Sequence, residues 1–386
     1  MGITHLANSF ISNISSKEGK LPCSFVIHTE KGESLPIGKE KPVFELYIRN
    51  QAGLRAIQSL NQLTIAEAYI IGNIDITGDF TQAMSFAEHI PDANFWIKMW
   101  RHIQPWLFGL EKCNSAWIAK HYASADIQLL VLESDYNTYT QCLYEHDDDS
   151  LEACTERKLG MVFEALKLKS NAARLDVGCG WGGLLRYSAR RGVQVTGITL
   201  AENQKVYVDN LIKENDFDAQ VMIQDLFSFQ PPKKYDSIAA IGVMEHLPDY
   251  PKVMTQLSKC IKPGGRVYMD FLASNNLSHP HTFITKYIWP GTHHMVFMPQ
   301  FIEAIRASPF EIVSIHNDRR NYYLWIEEIN RRWELNKAEI VKQSSEELWR
   351  IFRILYAGSA VFLGSPAYGL TAYRVVLEYP ADLRLH

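Results

Sequence analysis

The sequence LDVGCGWGG at residues 175–183 decides the fold class of this chain. A short apolar strand ends in an acidic residue, and glycines spaced for a tight turn lead into a helix that is predicted to begin near Leu184. Glycine adopts positive φ readily and lets a ligand approach the backbone closely. In an open α/β sheet, the first turn from strand to helix is where an adenosine-containing cofactor lies. The spacing differs from Gly-x-Gly-x-x-Gly, the fingerprint of dinucleotide binding.

This glycine-rich turn resembles motif I of the S-adenosylmethionine (SAM) methyltransferases. The resemblance implies that Gly178, Gly180 and Gly182 let the backbone pass beneath the methionyl and ribose parts of SAM. It also implies that Asp176 binds the methionyl ammonium, directly or through water. A plainer role for Asp176 stays open, which is to fix the turn by accepting hydrogen bonds from backbone N–H groups.

The residues after the next two predicted strands complete the expected cofactor site. After the second strand, the acidic ribose ligand that is usual in SAM methyltransferases is missing, and the chain reads TLAENQ at 199–204. This is similar to a variant in which a hydroxyl and a glutamine bind the ribose, so Thr199 and Gln204 are the ribose candidates. After the third strand, Asp225 is the candidate for the adenine amino group, with Leu226 packed on the ring.

Beyond about residue 174 the apolar pattern alternates between strands and helices, which predicts an α/β fold with a doubly wound, Rossmann-like parallel sheet. We expect a smaller N-terminal accessory domain of α+β character over 1–110 and a catalytic domain over 111–386. The catalytic domain is expected to contain a lid at 111–150 and a substrate-covering insertion at 275–335, which is rich in Tyr, Trp and His. Strands are predicted at 24–28, 173–177, 194–198, 219–223, 235–241, 266–271 and 371–379, and helices at 201–214 and around 325–333.

Composition limits the partners and the compartment. The 386 residues carry a net charge of −4, so no global field favours nucleic acid or an anionic membrane. The six cysteines are scattered, with no Cys-x-x-Cys pair and no signal-peptide pattern, which predicts a reducing, cytoplasmic setting. The apolar segment 351–372 carries Arg353 and Pro366, so we expect buried helix and strand there and only peripheral contact with a membrane. A homodimer stays open.

Other motifs resemble the cyclopropane fatty acid synthase family of SAM methyltransferases, from about Thr64 to Tyr379. Trp181 in the glycine-rich turn is one of them, and Glu245-His246 after the fourth strand is similar to the family's Phe-Glu-His. The remaining motifs are EAYIIG at 67–72, HY at 121–122, YTQCLY at 139–144 and KYIWPG at 286–291. The resemblance implies that His121 and Tyr122 begin a segment that closes over SAM, although the Gly-Asn that follows in the family is absent here.

The family's reaction implies a further set of residues. The methyl group of SAM is added to a cis double bond of an acyl chain, and a base then removes a proton so that the ring closes. The resemblance implies that a bicarbonate ion is this base, held by cysteine, glutamate, histidine and tyrosine side chains and a backbone N–H. Cys142, Glu245 and Tyr322 stand at the cysteine, glutamate and tyrosine positions.

The walls of the substrate site are expected to be aromatic, because aromatic faces stabilise a transient cation. Tyr322 is one candidate wall, and Tyr287 and Trp289 of the KYIWPG motif are two more. His246 is a further candidate for the lining. Ordinary packing is an equally natural role for any one of these side chains.

The family pattern breaks after the fifth strand, where the histidine is replaced by Asp270. A carboxylate beside Glu245 disfavours a bound anion. Two interpretations stay open. Asp270 is itself the proton acceptor, with its titration coupled to that of Glu245, or the bicarbonate step is lost and the enzyme performs a different methyl transfer.

Three functions therefore compete. The first is a SAM-dependent C-methyltransferase of an unsaturated lipid acyl chain, giving a cyclopropane or a methylated product. The second is a methyltransferase of a small-molecule amine or alkene, since Asp270 and Glu245 would hold a substrate ammonium. The third is a SAM-binding protein without catalysis, against which Cys142, Glu245 and Tyr322 argue. The acidic run HDDD at 146–149 is interpreted as a solvated loop, and no metal site is predicted.

Overall fold

The computed structural model describes residues 22–109, 125–133, 135–247, 249–275, 281–291 and 294–382. The predicted lid residues His121 and Tyr122 lie outside them. The described residues form two compact units. The first takes its residues from positions 1–100, 281–288 and 330–364, and the second from 101–280, 289–329 and 365–386. The first boundary between them falls after Trp100, and residues 275–335 are divided between the two units.

The regular elements are named here in chain order, within the described ranges. The strands are β1 (Phe25–His28), β2 (Ser34–Ile37), β3 (Phe44–Ile48), β4 (Ile74–Gly78), β5 (Ala173–Val177), β6 (Gln194–Thr199), β7 (Ala219–Ile223), β8 (Tyr235–Ile241), β9 (Ile261–Ser274), β10 (Val296–Phe297), β11 (Glu311–Asn317) and β12 (Leu370–Glu378). The α-helices are α1 (Gln51–Gln58), α2 (Gln62–Ile70), α3 (Phe80–Met84), α4 (Phe95–Phe108), α5 (Leu151–Ala165), α6 (Gly183–Ala189), α7 (Glu202–Asn215), α8 (Tyr250–Cys260), α9 (Met298–Arg306), α10 (Arg319–Leu335), α11 (Lys337–Gln343) and α12 (Glu346–Gly364).

The first unit is a small α+β fold. Its sheet has the order β2-β1-β3-β4, with β1 parallel to β3 and the other pairs antiparallel. Phe25 and Phe44 stack at 4.7 Å between ring centroids on the buried side of this sheet. The late helix α12 packs on α2 and α3. Its Arg353 donates to the Tyr69 hydroxyl at 2.8 Å, so residues of the EAYIIG motif are held by a helix almost 300 positions later.

The second unit contains the predicted doubly wound sheet, in the order β11-β12-β9-β8-β5-β6-β7. The pairs among β9, β8, β5, β6 and β7 are parallel, whereas β12 runs antiparallel between β9 and β11. The α/β fold class and the smaller N-terminal sheet are confirmed. The predicted bounds of β5, β7 and β8 agree with the structure. The edge strand β11 was not predicted.

Helices cover both faces of the large sheet. Consecutive strand residues point to opposite faces, and in β8 Ile238 packs toward α8 and α9 whereas Ala239 packs toward α5 and α6. Burial on both faces explains why β5 is buried at every position. The carboxyl ends of β5, β6, β7 and β8 meet at one edge, and that edge is where the sequence places its candidate site residues.

No helix in the described ranges is both long enough and apolar enough to cross a membrane.

Candidate functional site

A pocket lies at the carboxyl edge of the large sheet, around the glycine-rich turn. Gly182 does not line it and instead begins α6 as its N-cap, with φ +80°. The predicted residues that line the pocket are Asp176, Gly178, Gly180, Thr199, Gln204, Asp225, Leu226 and His246. The turn therefore brings together the residues predicted for the methionyl, ribose and adenine parts of one ligand.

Gly178 and Gly180 are the two predicted cofactor-site glycines that line the pocket, and a side chain is excluded at each for a different reason. Both have positive φ, +66° at Gly178 and +53° at Gly180. A Cβ at Gly178 would lie 2.5 Å from Cγ2 of Val243, so the side chain is excluded by packing within the protein. A Cβ at Gly180 would meet no protein atom within 4 Å. The space above Gly180 is open, as expected where a ligand passes close to the backbone.

Three polar groups of the pocket fit SAM. Trp181 Nε1 is buried and has no hydrogen-bond partner among the described residues. Gln204 Oε1 accepts from the Thr199 hydroxyl at 2.8 Å, so its NH2 is the end that can donate to a ribose oxygen. Burial raises the pKa of Asp176, an effect that Arg174 at 3.3 Å opposes, and a bound ammonium would favour the charged form further.

The predicted adenine end of the pocket lies at the turn after β7. Asp225 Oδ1 accepts from the backbone N–H of Phe227 at 2.8 Å, which starts a 3-10 turn at Leu226–Ser228. Leu226 is buried beside it. The loop 137–140, which lies within the predicted lid at 111–150, also lines the pocket, but none of its residues was predicted as a cofactor ligand. This loop lies directly before the YTQCLY cysteine, but its residues carry no glycine or charge signal.

Alanine substitutions at the two glycines should separate ligand approach from protein packing. Gly180→Ala should lower the free energy of unfolding by only about 1–2 kcal/mol, the usual penalty of left-handed φ for an L-residue, yet weaken SAM binding at least tenfold. Gly178→Ala should be the less stable protein, because Val243 must also move. Calorimetric titration with SAM and thermal unfolding measure the two effects. Wild-type SAM affinity in Gly180→Ala would contradict the placement of the ligand over this turn.

Asp270, the residue at which the family pattern breaks, is half of a buried ion pair. Its Oδ2 lies 2.9 Å from the Lys158 ammonium, and the two side chains are 0% and 1% exposed. Tyr268 donates to the same oxygen at 3.1 Å. The other oxygen accepts from the backbone N–H of Gly242 at 3.1 Å and lies 3.4 Å from the Thr140 hydroxyl. Both oxygens of Asp270 are therefore occupied by donors of the protein itself.

A second ion pair lies beside the first. Asp318, which is 2% exposed at its side chain, pairs with Arg374 at 3.0 Å and accepts from Asn321 Nδ2 at 3.0 Å. Arg374 stands opposite Asp270 in the β9–β12 register. Burial raises the pKa of Asp318, and the charge of Asp270 raises it further, while Arg374 opposes the shift. Asp270 and Asp318 are thus each paired with one cation, Lys158 and Arg374 respectively.

Glu245 has no such counter-ion among the residues that the structure describes. It follows β8 in a 3-10 turn, and its Oε1 accepts from the backbone N–H of Leu272 at 2.6 Å. Its Oε2 is buried without a hydrogen-bond partner among the described residues. Burial raises the pKa of Glu245 to about 7, the Leu272 N–H opposes this, and the charge of Asp270 adds to it. A carboxyl with that pKa changes charge near neutral pH and can take or give a proton.

The remaining predicted catalytic residues lie in different surroundings. Cys142 is buried, and burial raises the pKa of its thiol. Tyr322 packs edge-on against Trp325, with ring centroids 5.4 Å apart. Trp325 also meets the pocket-lining Tyr139 at 5.5 Å, so an aromatic row leads from the pocket to α10. Sequence reasoning missed Gln141, whose Nε2 is buried without a partner among the described residues.

This set does not fit a bicarbonate ion. The family's histidine would offer a donor to an anion, and Asp270 here offers an acceptor that is already satisfied. The Lys158 ammonium already forms an ion pair with Asp270, so it is not available to an anion. Glu245, when ionised, would repel an anion next to its unpartnered oxygen.

The predicted lining residues fall in both units. In the second unit, Trp289 packs against His246 with ring centroids 4.3 Å apart, and His246 lines the pocket. In the first unit, the Tyr287 hydroxyl donates to Glu67 Oε1 at 3.1 Å, and the Lys286 ammonium contacts the same oxygen. The EAYIIG and KYIWPG motifs thus meet, and Glu67 fixes the position of Tyr287.

No group of three or more His, Cys, Asp or Glu side chains within the described ranges is arranged to hold a metal ion.

A family model described as mycolic acid cyclopropane synthetase matches residues 111–367, two thirds of the chain. The chain belongs to the mycolic acid cyclopropane synthetase family. Among curated relatives, it is 25% identical over 340 residues to a sphingolipid C9-methyltransferase of Komagataella phaffii, covering 82% of this chain and 69% of that one. It is 29% identical over 259 residues to cyclopropane-fatty-acyl-phospholipid synthase of Escherichia coli, covering 64% of each.

Solved structures of mycolic acid cyclopropane synthases and other methyltransferases share the fold. A mycolic acid cyclopropane synthase complexed with SAH and CTAB aligns with a TM-score of 0.63 at 21% identity, over 68% of this chain and 98% of that one. Coclaurine N-methyltransferase bound to N-methylheliamine and SAH aligns with a TM-score of 0.63 at 17% identity, over 82% and 99%. The predictions of the cyclopropane synthase family, a SAM-dependent methyltransferase and SAM as cofactor are confirmed.

The chain spans between half and about two thirds of the length of the first curated relatives that it matches. The family assignment and the cofactor thus concern the part of the chain that the family model matches, residues 111–367. The substrate, the product and the partners are matters for proposal.

Proposed function

We propose that this chain transfers the methyl group of SAM to a cis double bond in an unsaturated lipid acyl chain and that it closes a cyclopropane ring. The observation that carries the proposal is Glu245, a buried carboxyl with one unpartnered oxygen and a pKa of about 7, directly before the pocket-lining residue His246. Alkene cyclopropanation needs a base in a water-poor site, and Glu245 is such a group.

The glycine-rich turn, Trp181, Gln204 and Asp225 would hold SAM in the pocket. When bound, SAM supplies an electrophilic methyl group, which the π electrons of the double bond attack while the C–S electron pair leaves on sulfur. The chain's own residues must then do two things. They must keep water from the cation that forms on the acyl carbon, and they must accept one proton.

The aromatic row of Tyr139, Trp325 and Tyr322 supports the first task. Ring faces stabilise a cation by about 0.5–2 kcal/mol each, and Trp325 is only 2% exposed. Glu245 Oε2 performs the second task. It takes a proton from the added methyl group, and the C–H electron pair forms the bond that closes the ring. The product is a cyclopropane, SAH and a protonated Glu245.

Asp270 is a positioning residue in this mechanism. Its oxygens hold the Gly242 N–H and the Lys158 ammonium, and Gly242 lies in the turn that leads to Glu245. The filled oxygens of Asp270 argue against the interpretation in which it is a built-in base. The other interpretation, a lost bicarbonate step with a different methyl transfer, is kept only in its first half, because the proposed reaction still closes a cyclopropane. The general base is assigned to Glu245.

An amine substrate is the second candidate, favoured by the unpartnered Glu245 Oε2, which would accept a hydrogen bond from an ammonium. Asp270 does not add a second charge for the ammonium, because it is already paired with Lys158. A carboxyl with a pKa of about 7 also binds a cation less readily than one that is fully ionised.

The product distinguishes these functions. The protein is incubated with methyl-labelled SAM and dioleoyl phospholipid vesicles, and in parallel with a panel of small amines, and the products are analysed by mass spectrometry. We expect each modified acyl chain to gain one CH2 and the amines to stay unlabelled. Labelled amine with unmodified lipid would overturn the acyl proposal in favour of the second candidate. Matched vesicles of stearoyl phospholipid, which has no double bond, should gain nothing.

A further inference from the structure

The helix α4 exposes an unusual concentration of large apolar side chains. Trp96 is 73% exposed and Trp106 is 83% exposed, and Phe95, Trp100 and Leu107 are about half exposed or more. Of the other exposed large apolar side chains in the described ranges, three lie on the edge strand β11 at 37–44% exposure, and the rest stand singly on several elements. Single exposed apolar residues are normal, whereas a contiguous patch indicates an interaction site.

These side chains share one side of the helix. At 3.6 residues per turn, positions 95, 96, 99, 100, 103, 106 and 107 fall within an arc of about 140°. The arc holds only Phe, Trp, Met, Ile and Leu. The opposite side faces the protein, where Gln104 is buried and donates to the carbonyl of Pro290 at 3.2 Å. The helix is therefore amphipathic with its apolar side outward, the reverse of a helix that packs on a core.

The charge next to this arc favours a phospholipid surface as the partner. The chain has no Asp or Glu between positions 93 and 110, whereas Lys98 and His102 border the arc and are exposed. Lys98 also lies 3.7 Å from Asp92, which is mostly buried. Interfacial helices combine Trp, Phe and Leu on one side with basic residues at its border, and Trp is enriched where a bilayer meets water. The net charge of the whole chain is −4, so this basic border is a local feature.

We propose that α4 docks this chain onto a phospholipid bilayer by inserting Phe95, Trp96, Trp100 and Trp106 into the interface, parallel to the membrane plane. The inference goes beyond the proposed function and does not depend on it. A docked enzyme would meet acyl chains where they are, but the helix would bind a bilayer whether or not the lipid is a substrate.

The test therefore uses lipids that cannot react. The full chain is floated with vesicles of diphytanoyl phosphatidylcholine that contain a minor share of diphytanoyl phosphatidylglycerol, since neither lipid has a double bond. Wild-type protein should float with the vesicles, and its Trp emission should shift to the blue. The double variant Trp96→Ser/Trp106→Ser should partition at least about tenfold less. The matched control is Leu335→Ser at the end of α10, which removes an apolar side chain that is 70% exposed and lies outside α4. This variant should partition as the wild type does.

Three outcomes would overturn the proposal. Wild-type protein that stays with the soluble fraction is the first. The second is equal partitioning of the wild type and the double variant. If the double variant then also unfolds at a lower temperature, the apolar side of α4 would be assigned to a contact within the chain. The third is a dimer of the wild type in light scattering that becomes a monomer in the double variant without any vesicle binding, which would assign the face to a second copy.

Discussion

Glu245→Gln is expected to abolish most turnover while leaving SAM binding intact. Removing a general base lowers the rate by about 10²–10⁴-fold, and Glu245 is not among the residues that line the cofactor pocket. Calorimetric titration with SAM should therefore give the wild-type affinity. In wild-type protein, turnover should rise with pH through about 7 and then level, because only the ionised carboxyl accepts a proton. The variant's residual activity should lack this rise.

The same substitution, which lowers turnover, should raise the free energy of unfolding at high pH. The pKa of Glu245 is raised from 4.5 to about 7 in the folded state, so its contribution to wild-type stability is present below pH 4.5 and is lost as the pH rises through 7. The loss is at most about 3 kcal/mol. Glu245→Gln should therefore be as stable as wild type at pH 4.5 and more stable at pH 8. Glu303→Gln, on the exposed side of α9, is the matched control and should change neither turnover nor its pH profile. An unstable Glu245→Gln that retains full turnover would contradict both assignments.

Lys158→Met is expected to be the most destabilising single substitution in the site. It leaves the Asp270 carboxylate buried without a counter-ion, and removing one partner of a buried ion pair lowers the free energy of unfolding by about 3–5 kcal/mol. Asp270→Asn should have an effect of the same order, since it leaves the Lys158 ammonium uncompensated. The double variant Lys158→Met/Asp270→Asn should recover most of the loss. Urea unfolding of the four proteins measures this as a double-mutant cycle.

The control for this cycle is an ion pair at the surface. Arg306 and Glu303 on α9 lie 2.6 Å apart and are both exposed, so Arg306→Met should leave the unfolding midpoint unchanged. Additive losses in the Lys158 and Asp270 variants would show that the two charges do not compensate each other. Recovered turnover in the double variant would support a positioning role for the pair. A folded double variant with no turnover would contradict a role for the pair that is limited to charge compensation.

The parallel part of the fold was predictable from local sequence. The strands β5, β7 and β8 are short apolar runs that end at Gly, Asp or polar residues, and their length and ends follow from those residues alone. Motif spacing likewise predicted the pocket lining, from Asp176 to Leu226. The edge strand β11 was missed because it is exposed at most positions, so its sequence lacks the apolar alternation that marks a strand.

The ion pair could not be predicted because it joins residues 112 positions apart, yet one half of it left a signal. On α5 the buried residues include Leu151, Cys154, Leu159 and Val162, at helical spacing, and Lys158 lies on the same stripe. A lysine on the buried stripe of a helix indicates a buried partner, most simply a carboxylate. Which carboxylate it meets depends on how α5 packs on β9, and that is a property of the fold.

In the proposed reaction, Glu245 takes a proton from a methyl group that has been added to an acyl double bond. The direct measurement is the mass of the acyl chain after reaction with SAM that carries a trideuterated methyl group. Ring closure should give a chain that has gained CD2, with one deuteron lost to Glu245. A chain that keeps all three deuterons would contradict ring closure, and acyl chains without any deuterium, from protein that binds SAM, would contradict the function.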